Sequence, residues 1–380
     1  MKKGLLERFE KYQRIALMFQ GGGALGAYQV GVYKALEQEG CVPTWICGVS
    51  IGSINGALIA GNPPGKRLER LEEFWSLVTS RPLGAFEPAE NKMGKLATAI
   101  SGMSTVMLGQ PGFFQPNIVS PWLSMPGSQS AISYYDTSEL RRTLRRLIDF
   151  DRLNSGEIRL SVGAVSVETG DNVFFDTKLE RLTVDHIMAS GALPPALPMV
   201  KIGDSSYWDG GIVDNTPLQY LLDQEERLSS LVFLVELFKA AGEIPRQMSE
   251  VETRQKDITY SSRTRQATHG FKKALELRRK LAHAYQRIAA DQLSEEEKLF
   301  SEAYAEEGVV NLIELIYQSR RDESNTKDYE FSRSMMEFHM EVGYMDAQSM
   351  LAHLDWLDLP SIEQGVVIHR LHVDDLTKRQ

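Results

Sequence analysis

The spacing of apolar residues near the start of the chain predicts alternating strands and helices. Short buried-strand patterns occupy residues 14–20 and 43–49. Apolar residues at helical spacing follow each of them, over 27–40 and 53–62. This order is typical of parallel strands joined by right-handed helical crossovers. The pattern therefore predicts an α/β fold built in layers.

The same pattern continues as far as about residue 240. A helix is predicted over 65–79 and an amphipathic helix over 137–154. Alternating residues around Thr-Gly-Asp-Asn predict a hairpin over 159–177, and an apolar run predicts a buried strand over 231–238. We therefore interpret residues 1–240 as one α/β domain.

The character of the chain changes after that point. Highly charged helical segments follow, with opposite charges four residues apart. An apolar strand is predicted at 308–318 and a further helix at 328–354. We expect residues 241–380 to form a largely helical C-terminal extension that packs on the core or mediates self-association.

A long segment without helical or strand periodicity interrupts the domain at residues 81–135. It is rich in Gly, Ser, Pro and Met, and irregular loops of this length are usually functional or mobile. Two interpretations stay open, a lid or apolar substrate channel and a loosely packed cap. The large apolar residues expected to be exposed there are Met103, Met107, Phe113, Phe114 and Trp122.

Composition and charge narrow the classes of function. The 380 residues carry a net charge of −9, which argues against a nucleic-acid partner because phosphate binding needs a basic surface. The two cysteines, Cys41 and Cys47, are too few for a disulfide framework and favour a reducing compartment. We recognise no signal peptide and no apolar run long enough to span a membrane. We expect a cytoplasmic protein, with peripheral association at a membrane surface left open.

A glycine-rich loop, GGGALG, joins the first predicted strand to the first predicted helix. Its glycines let backbone N–H groups point into a concavity that binds an anion or oxyanion. The loop also fits the dinucleotide fingerprint, but the next strand ends without the carboxylate that this fingerprint requires. The candidate oxyanion or substrate-binding residues are Gly21, Gly22, Gly23 and Gly26.

A Gly-x-Ser-x-Gly pattern follows the second predicted strand. Ser50 lies between Gly48 and Gly52, and a nucleophile on a sharp strand-to-helix turn needs small neighbours of this kind. The helix dipole would favour negative charge at that point. The alternative is a serine that simply caps the helix.

A third candidate is Asp209, followed by Gly210 and Gly211. An aspartate there would serve as a general base for the serine, whereas the alternative is a plain Asp-Gly turn. A histidine base is a further alternative. In a Ser-Asp-His order it would be His369 or His372.

GGGALG, GVSIG and DGG, with ASGALPPALP between the last two, resemble the patatin-like phospholipases over roughly residues 13–240. The resemblance implies a three-layer α/β/α fold with a mostly parallel sheet. It implies a Ser–Asp dyad without histidine, with Ser50 as nucleophile, Asp209 as base, and the N–H groups of Gly22 and Gly23 as oxyanion donors. It implies no calcium, other metal or cofactor.

This chain departs from the family at Leu25, where Arg or Lys is common. The change removes a charge near the site, so a preference for anionic head groups does not follow from the resemblance. The region after about residue 250, notably KDYEFSRSMMEFHMEVGYMDA, resembles the extension of a bacterial subset of the family.

These observations predict hydrolysis of an acyl ester by a serine enzyme. The resemblance implies a lipid substrate, such as a phospholipid, a lysophospholipid or a neutral acyl ester. Two alternatives stay open. One is an intracellular esterase or depolymerase of hydroxyalkanoate esters, and the other is a non-catalytic scaffold or binding protein that keeps the fold.

Overall fold

The computed structural model accounts for most of the chain. Residues 81–104 of the predicted irregular segment lie outside the described part. The described residues are 2–79, 105, 107–224, 228–261, 264–289, 292–305, 308–318 and 326–371.

A nine-stranded sheet forms the centre of the described structure, and a separate two-stranded ribbon lies outside it. The strands of the central sheet are β1 (Arg14–Phe19), β2 (Trp45–Val49), β5 (Arg159–Ser166), β6 (Asn172–Asp176), β7 (Val200–Ile202), β8 (Ser205–Asp209), β9 (Ser230–Glu236), β10 (Val310–Ile316) and β11 (Val366–Arg370). The strands of the ribbon are β3 (Gln115–Pro116) and β4 (Tyr135–Asp136).

Twelve helices are described around these strands, besides several short 3₁₀ turns. None of them is both long and apolar enough to cross a membrane. The helices are α1 (Lys2–Phe9), α2 (Ala27–Gln38), α3 (Ile51–Ala60), α4 (Arg67–Val78), α5 (Ser138–Leu147), α6 (Phe150–Leu153), α7 (Val184–Ser190), α8 (Leu218–Leu222), α9 (Met248–Tyr260), α10 (Thr264–Tyr285), α11 (Glu295–Ala305) and α12 (Arg333–Leu351).

The sheet is mostly parallel, in the order β11-β10-β9-β1-β2-β5-β8-β7, with β6 on the other side of β5. Only the pairings of β6, β7 and β8 within it are antiparallel. The central strands β1, β2 and β9 are buried along their whole length. Because parallel sheets are covered on both faces, the sequences of such strands are continuous apolar runs.

Layers on both faces follow from the alternation of side chains along each strand. In β1, Leu17 and Phe19 belong to one apolar cluster, whereas Ala16 and Met18 belong to another. Residues of α2, α3, α4 and α12 fill the first cluster, and residues of α8 and α10 fill the second. The predicted three-layer α/β/α fold is confirmed.

The C-terminal extension contributes to the same sheet. Strand β10 pairs in parallel with β9, and β11 pairs in parallel with β10. Helix α12 packs against α2 at two glycines, Gly31 and Gly343. The predicted boundary near residue 240 therefore lies inside one continuous sheet, between β9 and β10.

The helix predicted over 137–154 is two helices instead. Ile148 ends α5 in an extended conformation, with ψ at 125°. Asp149 then caps α6, because its side chain accepts hydrogen bonds from the N–H groups of Asp151 and Arg152. Helical spacing of the apolar residues alone did not reveal this break, which a local side-chain cap creates.

Candidate active site

Ser50 lies on the turn between β2 and α3 and has an unusual backbone. Its φ is 55° and its ψ is −124°, and it is the only non-glycine residue with positive φ in the described part of the chain. Its side chain makes no capping hydrogen bond to α3. The interpretation of Ser50 as a simple helix cap therefore fails, and its hydroxyl is available for other contacts.

The glycines on either side of Ser50 allow β2 and α3 to approach each other closely. A Cβ on Gly48 would lie 2.4 Å from the carbonyl oxygen of Gly52. A Cβ on Gly52 would lie 2.4 Å from the carbonyl oxygen of Phe19 in β1. Both positions exclude any side chain, which explains the Gly-x-Ser-x-Gly spacing in steric terms.

The register of the strands places Asp209 close to Ser50. Strand β2 ends with Val49 opposite Gly163 of β5, and the next residue of β5, Ala164, lies opposite Asp209 of β8. Strands β2 and β8 thus follow one another along the same edge of β5. A Cβ on Gly210 would lie 2.7 Å from the carbonyl oxygen of Gly163, so the backbones are in close contact there. This arrangement brings together two residues that are far apart in sequence.

The carboxylate of Asp209 is buried, with only 3% of the residue exposed. Burial raises the pKa of Asp209 to about 6, while hydrogen bonds from the Ser50 side chain and the Gly211 N–H act in the opposite direction. The Gly211 N–H donates to Oδ1 of Asp209 at 2.7 Å. The raised pKa puts this group near the range in which a general base works at neutral pH.

The glycine-rich loop lies directly beside Ser50. A Cβ on Gly21 would lie 3.0 Å from Cβ of Ser50. Gly23 has a φ of 54°, and a Cβ there would lie 2.3 Å from the carbonyl oxygen of Asp328. In the described part of the chain, the N–H groups of Gly22 and Gly23 have no hydrogen-bond acceptor. They are therefore available to a ligand oxygen.

Gly26, the last candidate residue of the loop, has a packing role. It lies at the end of the 3₁₀ turn that leads into α2, and it is buried. A Cβ there would lie 2.6 Å from Cγ1 of Ile51, the residue after Ser50. The absence of a side chain thus lets the loop pack against the start of α3.

Three buried polar side chains hold this loop in place, and the sequence analysis assigned none of them a role. The Asn215 amide donates to the carbonyl oxygens of Gly21 and Tyr260, both at 3.0 Å. The Gln20 amide donates to Thr216 and Tyr260, and its oxygen accepts from two N–H groups after β9. Gln29 donates to the carbonyl oxygen of Gln20 at 2.7 Å. For Asn215 the available signal was the polar Asp-Asn-Thr run that begins three residues after the Asp-Gly-Gly motif.

The segment ASGALPPALP also contributes to this site. Ser190, at the end of α7, accepts a hydrogen bond from the Ser50 N–H at 2.9 Å. Leu193, Ala196 and Leu197 line the cavity in front of Ser50. The segment therefore supports the strained turn and forms part of the cavity wall.

A largely apolar cavity of about 400 Å³ opens in front of Ser50 and Asp209. Phe113 and Phe114, predicted to be exposed, line it instead, and Phe114 is only 7% exposed. Phe114 packs on Tyr135 and Phe331, so aromatic contacts account for the difference. Met107 and Trp122 are exposed, as predicted, and Met103 lies outside the described residues.

The C-terminal extension forms another wall of this cavity, with Lys256, Tyr260, Asp328, Tyr329 and Phe331 among its lining residues. Lys256 forms an ion pair with Asp328 at 2.6 Å. Next to this pair, the buried Lys327 side chain contacts Asp257 at 2.7 Å. Asp328 thus balances the positive charge of Lys256. Leu25 adds no charge to the glycine-rich loop, and its side chain is fully buried.

The histidines of the described chain do not reach the cavity. His186 belongs to the capping box of α7. His369 lies on β11, four strands from β2, or about 19 Å at ordinary strand spacing. It stacks on Trp356. His372 lies outside the described residues.

No group of three or more His, Cys, Asp or Glu side chains is placed to hold a metal ion in the described ranges. Cys41 and Cys47 are free and buried, and burial raises the pKa of both thiols. The cytoplasmic location expected from cysteine content stays a prediction.

Comparison with known protein families agrees with this geometry. A family model described as patatin-like phospholipase matches residues 17–222, which is more than half of the chain. The chain belongs to the patatin-like phospholipase family. A second family model, described as patatin phospholipase, matches residues 258–363. The extension thus also matches a family model.

Individual relatives match shorter parts of the family region. The mouse and human proteins named patatin-like phospholipase domain-containing protein 6 are 42% identical over 62 residues, 16% of this chain. Lysophospholipase NTE1 of Yarrowia lipolytica is 26% identical over 232 residues, 61% of this chain. The chain spans 13% or less of the length of these three relatives.

Solved structures show more distant likeness. VipD from Legionella pneumophila aligns over 94% of this chain and 72% of its own, with a TM-score of 0.43 and 14% identity. The type III effector protein ExoU aligns over 87% of this chain and 53% of its own, with a TM-score of 0.26 and 15% identity.

Proposed function

We propose that this patatin-like protein is a serine acyl-ester hydrolase that uses a dyad of Ser50 and Asp209. The observation that carries the proposal is Ser50 on a strained turn, beside the buried carboxylate of Asp209, at one end of an apolar cavity. Strained backbone and a raised carboxylate pKa are both typical of catalytic sites.

The acylation step follows from the positions of these groups. Asp209 accepts the proton of the Ser50 hydroxyl while the serine oxygen bonds to the ester carbonyl carbon. The carbonyl oxygen becomes an oxyanion, which the N–H groups of Gly22 and Gly23 stabilise. The protonated Asp209 then gives its proton to the leaving alcohol as the ester C–O bond breaks, which leaves an acyl-enzyme.

Deacylation repeats these roles with water. Asp209 takes a proton from a water molecule, whose oxygen attacks the acyl carbonyl carbon. The same N–H groups stabilise the second oxyanion. The bond to Ser50 breaks, Asp209 returns the proton to the serine oxygen, and the carboxylic acid leaves.

The cavity supports a lipid acyl ester as the substrate. Aromatic and aliphatic side chains line it, and they suit a fatty acyl chain better than a polar one. The nearby cation, Lys256, is already paired with Asp328. We therefore propose a phospholipid, a lysophospholipid or a neutral lipid ester, without a requirement for a negatively charged head group.

Covalent labelling with a fluorophosphonate probe tests the nucleophile. We expect wild type to be labelled and Ser50→Ala to be unlabelled. Ser249→Ala, which alters an exposed serine on α9, should be labelled like wild type. Absence of labelling in wild type, or equal labelling of Ser50→Ala, would favour the non-catalytic scaffold.

A substrate series tests the acyl group. We expect fatty acid release from lysophospholipids or long-chain esters, and faster turnover of p-nitrophenyl esters as the acyl chain lengthens. If only short hydroxyacyl oligomers are hydrolysed, the lipid-ester assignment fails and the depolymerase alternative takes its place.

A further inference from the structure

A group of large apolar side chains is exposed on the loop between β3 and β4. Ile118 is fully exposed, and Trp122, Leu123 and Met125 are 85%, 81% and 80% exposed. A 3₁₀ turn at Pro121–Leu123 presents the tryptophan and the leucine. We call residues 118–125 the apolar tip. Contiguous exposed apolar residues of this kind mark interaction surfaces.

The surroundings of the apolar tip in sequence are uncharged. Residues 96–135 contain no Asp, Glu, Lys or Arg, although charged residues make up 24% of the chain. Protein–protein interfaces usually surround their apolar centre with a polar rim that includes charged groups. A loop without charged side chains is instead complementary to the hydrocarbon boundary of a neutral lipid layer.

The apolar tip stands on an ordered base. The antiparallel ribbon of β3 and β4 closes the loop. The Asn117 side chain donates to the carbonyl oxygen of Ser133 at 2.8 Å, and the Asn117 N–H donates to that of Tyr134 at 2.9 Å. The apolar side chains are therefore displayed by a loop whose backbone is held by internal hydrogen bonds.

The base of this loop is also the rim of the cavity. The N–H of Tyr134 donates to the carbonyl oxygens of Pro195 and Ala196, and that of Tyr135 donates to Ala196. All four of these residues line the cavity in front of Ser50. A lipid layer that covers the apolar tip would thus lie beside the entrance through which an acyl chain must pass.

We propose that the apolar tip inserts into the surface of a neutral lipid layer and places the cavity entrance against it. Tryptophan favours the membrane–water interface, where its apolar ring and its N–H are both accommodated. Leu123 and Met125 reach the acyl region below it. The proposal rests on the proposed function for its purpose, but the binding step needs no catalysis.

Cosedimentation of the full chain with vesicles of zwitterionic phosphatidylcholine tests the insertion. We expect wild type to bind, with little change between 0.1 M and 1 M salt because no charge pairs are involved. The double variant Trp122→Ser with Leu123→Ser, which we call the tip variant, should bind at least about tenfold more weakly. Leu179→Ser with Leu277→Ser, which removes two exposed leucines elsewhere, should bind like wild type.

Hydrolysis of a short water-soluble p-nitrophenyl ester separates this proposal from the proposed function. The tip variant should hydrolyse that ester like wild type and lose activity only on vesicles. If neither wild type nor the tip variant hydrolyses the ester, the proposed function fails. The vesicle result still decides the proposal on the apolar tip.

Four results would overturn the proposal. The first is failure of wild type to bind neutral vesicles, and the second is binding of the tip variant as strong as that of wild type. Binding only to anionic vesicles, lost in 1 M salt, would assign the contact to charges elsewhere. A wild-type dimer that the tip variant converts to a monomer in sedimentation would assign the surface to a second copy of the chain.

Discussion

Ser50 combines strain with exposure to the cavity. A non-glycine residue with φ of 55° and ψ of −124° occupies a conformation that glycine tolerates and other residues avoid. The surrounding contacts hold it there, including the hydrogen bond from its N–H to Ser190. The strain at Ser50 is therefore expected to cost stability in exchange for a presented hydroxyl.

Substitution of Ser50 separates stability from activity. We expect Ser50→Gly to be more stable than Ser50→Ala by about 1–2 kcal/mol, because glycine relieves the strain that alanine keeps. Both variants should lack hydrolytic activity. Urea unfolding measures the difference, and equal stability of the two variants would show that the turn is not strained.

The pKa of Asp209 sets the pH dependence that we expect for the hydrolytic activity. The protonated carboxyl cannot accept the serine proton, so activity should be present above a pH of about 6 and fall as pH drops through that value. A profile of kcat/KM between pH 4.5 and 8 measures this. Asp209→Asn should lower kcat by at least about a hundredfold.

A second buried carboxyl provides the control for that profile. Burial also raises the pKa of Asp346 to about 6, but Asp346 accepts a hydrogen bond from Tyr28 away from the cavity. Asp346→Asn should therefore keep the acid limb of the activity profile. Loss of that limb in Asp346→Asn would assign the limb to Asp346 rather than to Asp209.

Among the elements, α2 and α12 make the contact that docks the extension on one face of the sheet. A Cβ on Gly343 would lie 2.1 Å from the carbonyl oxygen of Tyr28, and a Cβ on Gly31 would lie 1.9 Å from that of Met340. The two helices therefore cross with their backbones in contact. Since α2 follows the glycine-rich loop directly, this packing also supports the site.

A pair of glycine substitutions tests that contact. Gly343→Ala should destabilise the protein by about 1–3 kcal/mol, because the added methyl group forces the helices apart. Gly270→Ala, in α10 with nothing near the added methyl, should stabilise by up to about 1 kcal/mol. Thermal unfolding of the two variants checks the opposite signs.

At the scale of the whole molecule, one sheet joins the α/β region to the extension. Strand β9 is fully buried and pairs with β1 on one side and β10 on the other. Without the extension, the backbone N–H and C=O groups on that edge of β9 would be unpaired, and such open edges promote aggregation. The cavity would also lose Tyr260 and Phe331 from its wall.

Truncation tests how far the two regions depend on each other. A chain that ends at residue 240 should aggregate or bind hydrophobic dyes, whereas a chain that ends at residue 371 keeps every described strand and should behave like the full chain. Size-exclusion chromatography measures both. A monomeric, cooperatively unfolding 1–240 fragment would contradict this and support two independent domains.

Local patterns carried much of the prediction. The strands around residues 14–20 and 43–49, the helices after them and the glycine-bounded Ser50 all follow from residues close in sequence. The Asp-Gly-Gly motif made Asp209 a candidate base for Ser50, and the family resemblance favoured it over a histidine. The break near Asp149 and the buried position of Phe114 were missed, because a side-chain cap and distant aromatic contacts decide them.

The sequence by itself determined the type of each element and the glycines that a tight turn requires, because steric and hydrophobic preferences act over a few residues. Only the tertiary structure decided what meets at the site. The register of β2 and β8 on β5 brings Ser50 to Asp209, and Asn215 and Gln20 hold the glycine-rich loop. Such pairings depend on contacts between residues far apart in the chain, which no local pattern encodes.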